Sequence, residues 1–328
     1  MTRKRNRRKN TKAYSLPKIL ILIGLAFLLG IAAERSGYSL DAIESHIDEI
    51  YHRIHQWTHR TFSSGVDDEQ NGEVIVFDVG QGSSTLLKSG DGSTILIDTG
   101  RHNDSSNQII QYLNDEIGVG GKIDLLIFTH NHADHIGNGD LVLDYFQVDE
   151  VWMNGMDSAS QVYSDVLDAL LESSAEYVEP KRGDRKEVGS FMVEVLHPIA
   201  DQPESNQNDE SIVTRIRLGT VSLMLTGDSS TSIERSLVDS PMTQLQSEIL
   251  LLGHHGSDTS TSEEWVEAVS PHIAIYQASI NNSYGHPHQE VLERLDRYGI
   301  PVYGTDKDGT IRVMFNEKGE IDVFTEVE

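Results

Sequence analysis

Thr129-His130-Asn131-His132-Ala133-Asp134-His135 places three imidazoles and a carboxylate within six positions. The stretch follows an apolar run, Asp124 to Phe128, that reads as a buried strand. Side chains crowded onto the loop after such a strand can converge on a metal ion, with imidazole and carboxylate as ligands. His130 and His132 are two apart, so on extended backbone they face the same side. Asp134 and His135 then turn toward a neighbouring point, which leaves room for two adjacent metals. The alternative is a histidine-rich polar loop with no ligand, and the spacing speaks against it.

Further stretches recur along the chain in a fixed order. They are Phe77-Asp78-Val79-Gly80-Gln81-Gly82, Asp98-Thr99-Gly100, Leu225-Thr226-Gly227-Asp228, Gly253-His254-His255-Gly256-Ser257 and Tyr284-Gly285-His286-Pro287. The heptad resembles the signature of the metallo-β-lactamase superfamily. With the other five motifs, it resembles the extracytoplasmic metallo-β-lactamase domain of ComEC-type competence proteins, from about residue 73 to residue 324. Alone, the Asp-Thr-Gly or Thr-Gly-Asp triplets would be weak signals; six motifs in order are strong. The resemblance implies an α/β fold, the αββα metallo-β-lactamase sandwich; the residues ahead of it are expected to include an N-terminal transmembrane helix.

Carried over residue by residue, the resemblance implies that His130 and His132 hold a first metal. Asp134 and His135 would hold the second, with His254 completing it, and Asp228 would bridge both. His255 is then expected to lie behind the ligands or to face the substrate, and His286 to donate to a substrate oxyanion. Asp134, His255 and His286 are thus the residues expected at the chemistry. Asp78 and Asp98 end strands near the same edge, where each either orients a ligand imidazole or caps a turn. His197, before Pro198, reads as structural. The implied cofactor is two divalent metal ions, zinc or manganese.

Three departures from the family pattern stand out. Most superfamily hydrolases place a third histidine for the first metal some twenty residues before the Thr-Gly-Asp aspartate. Here Asn206-Gln207-Asn208-Asp209-Glu210-Ser211 has none, as in ComEC-type domains, so the first metal is expected to be weakly held. Ser83 stands where those domains usually carry Asp, and Asn138 replaces the second glycine of His-Ile-Gly-Gly. The Asn138 change is expected to matter little, whereas Ser83 is expected to alter activity if the usual Asp positions a nucleophile or metal.

Charge divides the 328 residues sharply. All 52 acidic residues lie at or after Glu34, while 8 of the 26 basic ones fall in the first 18 positions, which leaves −34 from Glu34 onward. Such a surface repels polyanions at long range, suits a saline exterior and argues mildly against electrostatic capture of nucleic acid. The chain contains no cysteine, which excludes disulfides, thiolate ligands and cysteine nucleophiles.

Residues 1–18 read as a basic cytoplasmic segment and 19–37 as a transmembrane or signal-anchor segment. The uncharged run Ile19 to Ala33 is short against the 17–25 or so residues of a spanning helix. The basic flank predicts a single pass through the cell membrane with the carboxyl-terminal domain outside. The alternative is cleavage near Gly30-Ile31-Ala32-Ala33 and secretion. Residues 38–72 read as helical stalk and linker, and 73–328 as the metallo-β-lactamase-like domain. Leu40, Ile43, Ile47, Ile50, Ile54 and Trp57 form an a/d seam. That seam either packs on its own domain, pairs residues 40–57 into a homo-oligomer, or lies on the membrane surface.

The expected activity is an exported metal-dependent hydrolase, a phosphodiesterase or nuclease using a metal-bound hydroxide on a phosphodiester, DNA among the candidates. A cell-envelope phosphodiesterase of the phosphocholine or teichoic-acid type is the enzymatic alternative, and a catalytically decayed metal-binding scaffold is the non-enzymatic one. β-Lactam hydrolysis fits less well, because the absent third histidine binds metal there. With one hydrophobic segment, the chain is not expected to form a DNA channel.

Overall fold

The computed structural model describes residues 71–101, 108–241, 243–316 and 318–327. The expected basic segment, anchor and nearly all of the stalk, with its 40–57 seam, lie outside the described residues. Among the described residues no helix is long and apolar enough to cross a membrane.

The domain opens with antiparallel strands β1 (Gly72–Val76), β2 (Thr85–Ser89) and β3 (Thr94–Ile97). Helix α1 (Gln108–Ile117) leads through β4 (Lys122–Ile123) to β5 (Leu125–Ile127), parallel to β3. Helix α2 (Gly139–Tyr145), β6 (Gln147–Val148), β7 (Glu150–Trp152), α3 (Gln161–Glu172) and β8 (Glu176–Val178) complete the first half. Strands β9 (Arg185–Val188), β10 (Phe191–His197), β11 (Val213–Leu218) and β12 (Val221–Leu225) begin the second. Helix α4 (Thr231–Val238), β13 (Ile249–Leu251), a 3-10 turn (Gly253–Gly256), α5 (Glu263–Val269) and β14 (Ile273–Tyr276) follow. The chain closes with α6 (Gln289–Arg297), β15 (Val302–Gly304), α7 (Thr305–Asp308), β16 (Ile311–Phe315) and β17 (Ile321–Thr325).

Eight strands form one sheet in the order β17-β16-β1-β2-β3-β5-β7-β8, and seven form another, β15-β14-β13-β12-β11-β10-β9. Alternation along each strand sorts side chains between two faces. Val74, Val76, Ile95 and Ile97 meet Val193, Val195, Leu223 and Leu225 between the sheets. Their neighbours Ile75, Phe77, Leu96 and Leu126 face outward and are covered by α1, α2 and α3. On the other side Met224, Leu250 and Ala274 are covered by α4, α5 and α6 through Ile233, Trp265 and Val291. This is the expected αββα sandwich.

Local signals explain the helix starts. Ser160 Oγ accepts from Tyr163 N ahead of α3, and Ser262 Oγ accepts from Trp265 N ahead of α5, whose first turn carries Glu263 and Glu264. Strands β3, β5, β12, β13 and β14 all send their carboxyl ends to one edge, where ligands bind in open α/β sheets. Leu126 is fully buried beneath the outer helices. We predict that Leu126→Ala lowers unfolding free energy by about 2–5 kcal/mol, read from the urea midpoint.

Candidate metal centre

The loop after β5 is pinned before it reaches the site. Asp98, directly after β3, accepts from Thr129 N and Thr129 Oγ1, both at 2.8 Å, and its Oδ2 lies 2.7 Å from His135 Nδ1. Ile212 N donates to Thr129 O at 2.8 Å and so draws the second sheet to the same loop. Ser83 N donates to Asp134 O at 3.0 Å, which seats the Gly-Gln-Gly turn on the heptad.

Two clusters of donor atoms result. His130, His132 and Asp228 form one, and Asp134, His135 and His255 the other, with donors in each within 4.8 Å of one another. His130 Nε2 lies 3.0 Å from His132 Nδ1 and 3.8 Å from Asp228 Oδ2. In the second cluster His255 Nε2 lies 3.5 Å from Asp134 Oδ2. Asp228 Oδ1 reaches across to His135 Nε2 at 3.3 Å, so this carboxylate stands between the clusters.

This grouping differs from the expected one of His254 with Asp134 and His135. His255 occupies that place, with Nδ1 held 2.9 Å from Gln277 O. His254 instead points Nε2 at Asp228 Oδ2, 3.5 Å away, while its Nδ1 sits 2.9 Å from Thr259 Oγ1. The reason is local backbone. Both histidines adopt left-handed conformations, φ 49° and 57°, so the neighbouring rings diverge.

His286 stands beside this pair, its ring centroid 5.5 Å from that of His254 and 6.1 Å from that of His255. Asn282 builds its loop, accepting from His286 N and donating to His286 O. Asp78 accepts from Gly80 N and touches no imidazole, so of the two strand-end aspartates only Asp98 orients one. His197 is buried away from both clusters. Asn138 does more than fill a glycine position: its Nδ2 donates to Thr99 O at 2.8 Å and Arg101 O at 3.2 Å. The loop without a histidine gives the centre Ser211, whose Oγ accepts from Asp228 N at 3.2 Å. Ser83 lines a cavity of about 30 Å³ under the centre, with Thr85, Asp98, Thr129, Thr226 and Gln277.

Charge at the centre is strongly biased. Burial would raise the Asp228 pKa, but His135, His255 and His130 hold it well below the carboxylate range. Burial opposes charge on His135, yet Asp228 and Asp98 raise its pKa well above the usual value. Burial, reinforced by His135, pushes His130 well down. His286 falls to about 4 through burial and the surrounding imidazoles, which leaves it neutral at pH 7.

These residues fit a divalent metal. His135 Nε2 and His255 Nε2 are buried without a hydrogen-bond partner, although both aim at carboxylates. Donors about 3.4 Å apart are what tetrahedral coordination with bonds near 2.1 Å requires, and the distances above bracket that spacing. Gln277 and Thr259, which hold His255 and His254, lay outside the sequence reading, since neither carries a metal-binding group. We predict that Asp98→Ala weakens zinc or manganese binding about 10–100-fold, whereas Asp78→Ala leaves it unchanged, as measured by titration calorimetry.

Comparison with known proteins gives the family. Residues 77–279 match the metallo-beta-lactamase superfamily. The chain is 32% identical over 268 residues to ComE operon protein 3 of Bacillus subtilis, which covers 77% of this chain and 34% of that protein. It is 32% identical to Competence protein ComA of Neisseria gonorrhoeae, covering 74% of the chain and 32% of the relative. Against Recombination protein 2 of Haemophilus influenzae the identity is 30%, covering 74% and 29%. The chain thus spans about a third of the length of these relatives. With its αββα sandwich and its histidine–aspartate clusters, this chain belongs to the metallo-β-lactamase superfamily.

Proposed function

We propose that the protein is an exported metal-dependent phosphodiesterase, with DNA as the leading substrate. The observation that carries this reading is the pair of donor clusters on either side of Asp228. When bound there, two divalent ions lower the pKa of a water molecule and offset charge on a phosphoryl oxygen. His130, His132 and Asp228 would hold one ion; Asp134, His135 and His255 would hold the other.

The remaining work falls to the chain's own groups. Asp98 fixes the ring of His135, and Gln277 O fixes that of His255, so neither turns when substrate enters. His286 is neutral and only partly buried, so it can offer an N–H to a substrate oxygen without placing a second positive charge at the centre. Exposed Tyr284 stacks on His286 with centroids 5.7 Å apart. Likeness to competence proteins and to a protein named for recombination supports DNA as the polymer. The acidic surface supports an envelope phosphodiester as the second reading.

We predict that the full chain turns over bis-p-nitrophenyl phosphate and single-stranded DNA, faster with manganese than with zinc. Asp228→Ala is expected to lose metal and turnover together. Nitrocefin turned over faster than either phosphodiester would refute the assignment. If DNA is cleaved, cleavage is expected to persist in high salt, because few Lys or Arg side chains are available for counterion release.

We also place the domain outside the cell membrane, on the basic flank and apolar run of the first 33 residues. Protease added to intact cells is expected to digest the domain; digestion only after lysis would contradict the placement.

A further inference from the structure

We infer that Tyr284 is a stacking platform for an unpaired nucleobase, through which the site selects single-stranded DNA by ring contact instead of by charge. The inference rests on the phosphodiesterase reading above and assigns the group that grips the polymer.

Rings step outward from the donor clusters. His255, of the second cluster, and His286 have centroids 6.1 Å apart and planes inclined by 24°. His286 and Tyr284 repeat the arrangement at 5.7 Å and 23°. Both separations fall in the range of stacked aromatic pairs. His254 and His288 meet His286 at steep angles, with centroids 5.5 and 5.0 Å away. The His286 ring thus has four ring neighbours, and among them Tyr284 is the most open to solvent, at 54% exposed.

Burial does not account for the placement of Tyr284, because its ring belongs to none of the three apolar clusters among the described residues. The backbone holds it instead. Asn282 Oδ1 accepts from Tyr284 N at 3.1 Å and from His286 N at 3.0 Å, while Asn282 Nδ2 donates to Ser279 O at 3.0 Å. Between the two rings Gly285 turns the chain at φ +76°, a conformation that glycine adopts without steric cost. A flat side chain is therefore presented to solvent with its loop already shaped, which lowers the ordering cost of binding.

Charge explains why a ring should do this work. The −34 balance from Glu34 onward gives a polyanion no long-range attraction. From Pro271 to Gln289, however, the sequence has no Asp, Glu, Lys or Arg. Phosphates are neither repelled nor held by that stretch, so affinity there has to come from contacts that need no cation. Base–aromatic stacking is such a contact, and it tolerates any sequence because every base has a π-face. A base inside a duplex has both faces covered by its neighbours, so the platform favours single strands. Ile280, 72% exposed, adds a second apolar side chain to the same loop.

The test measures kcat/KM of the full, manganese-loaded chain on oligothymidylate and on a strand of equal length whose central nucleotides lack bases. The unchanged protein is expected to prefer the base-bearing strand. In Tyr284→Ala that preference is expected to fall about 5–150-fold, the worth of one stacked base, chiefly through KM. Tyr284→Phe keeps the ring and is expected to keep the preference, whereas Tyr284→Leu, apolar but not flat, is expected to lose it. The Phe and Leu variants decide the matter if Tyr284→Ala does not fold. Equal preference in the unchanged protein and Tyr284→Ala, or full preference in Tyr284→Leu, would overturn the inference while leaving the phosphodiesterase reading intact. An unchanged protein that hydrolyses bis-p-nitrophenyl phosphate but neither strand would instead overturn the choice of DNA, and the inference with it.

Discussion

Everything at the functional edge is arranged around one buried carboxylate. Asp228 is 4% exposed and faces His130, His135 and His254. Removing a charge from water costs several kcal/mol unless nearby charges compensate, and His135, whose pKa Asp228 and Asp98 raise, supplies part of that compensation. A divalent cation held beside it would satisfy both the carboxylate and the unpartnered ring nitrogens. Delivering Asp228 to that point demands a close approach of the two sheets. Gly227 permits it: at φ +52°, a Cβ there would lie 2.9 Å from Ser211 and 3.0 Å from Thr129.

The oxygens that hold the imidazoles come from distant parts of the chain. Asp98 follows β3 of one sheet, and Gln277 follows β14 of the other. Gln277 also donates to Ser84 O at 2.8 Å and so ties the sheets together beside the site. The donor set is therefore held by the sandwich itself. This is the kind of preorganisation that hydrolytic metal sites need. The Tyr284–His286 side is a partly exposed loop, which suits a surface that meets substrate.

Much of this was legible in sequence because it was local or ordered. The apolar runs before Thr129 and through Val74–Phe77 announced strands, and the order of the six motifs announced the sandwich. Strands β8 and β9 were not legible, because Glu176–Val178 and Arg185–Val188 are short, polar edge strands without an apolar face. Helices α4 and α5 span only eight and seven residues, too few for a convincing periodicity. At the site, the heptad and Asp228 could be named, but the division of labour between His254 and His255 could not. Adjacent residues in a sequence carry no sign of a left-handed turn that separates their rings. Ser211, Thr259 and Gln277 escaped for a related reason, since their roles arise from long-range packing and not from their own chemistry.

The most direct measurement is an anomalous difference map from crystals of the protein soaked in manganese. The account predicts two peaks flanking Asp228, one touching His130 and His132, the other Asp134, His135 and His255. A single peak, or peaks away from Asp228, would contradict it.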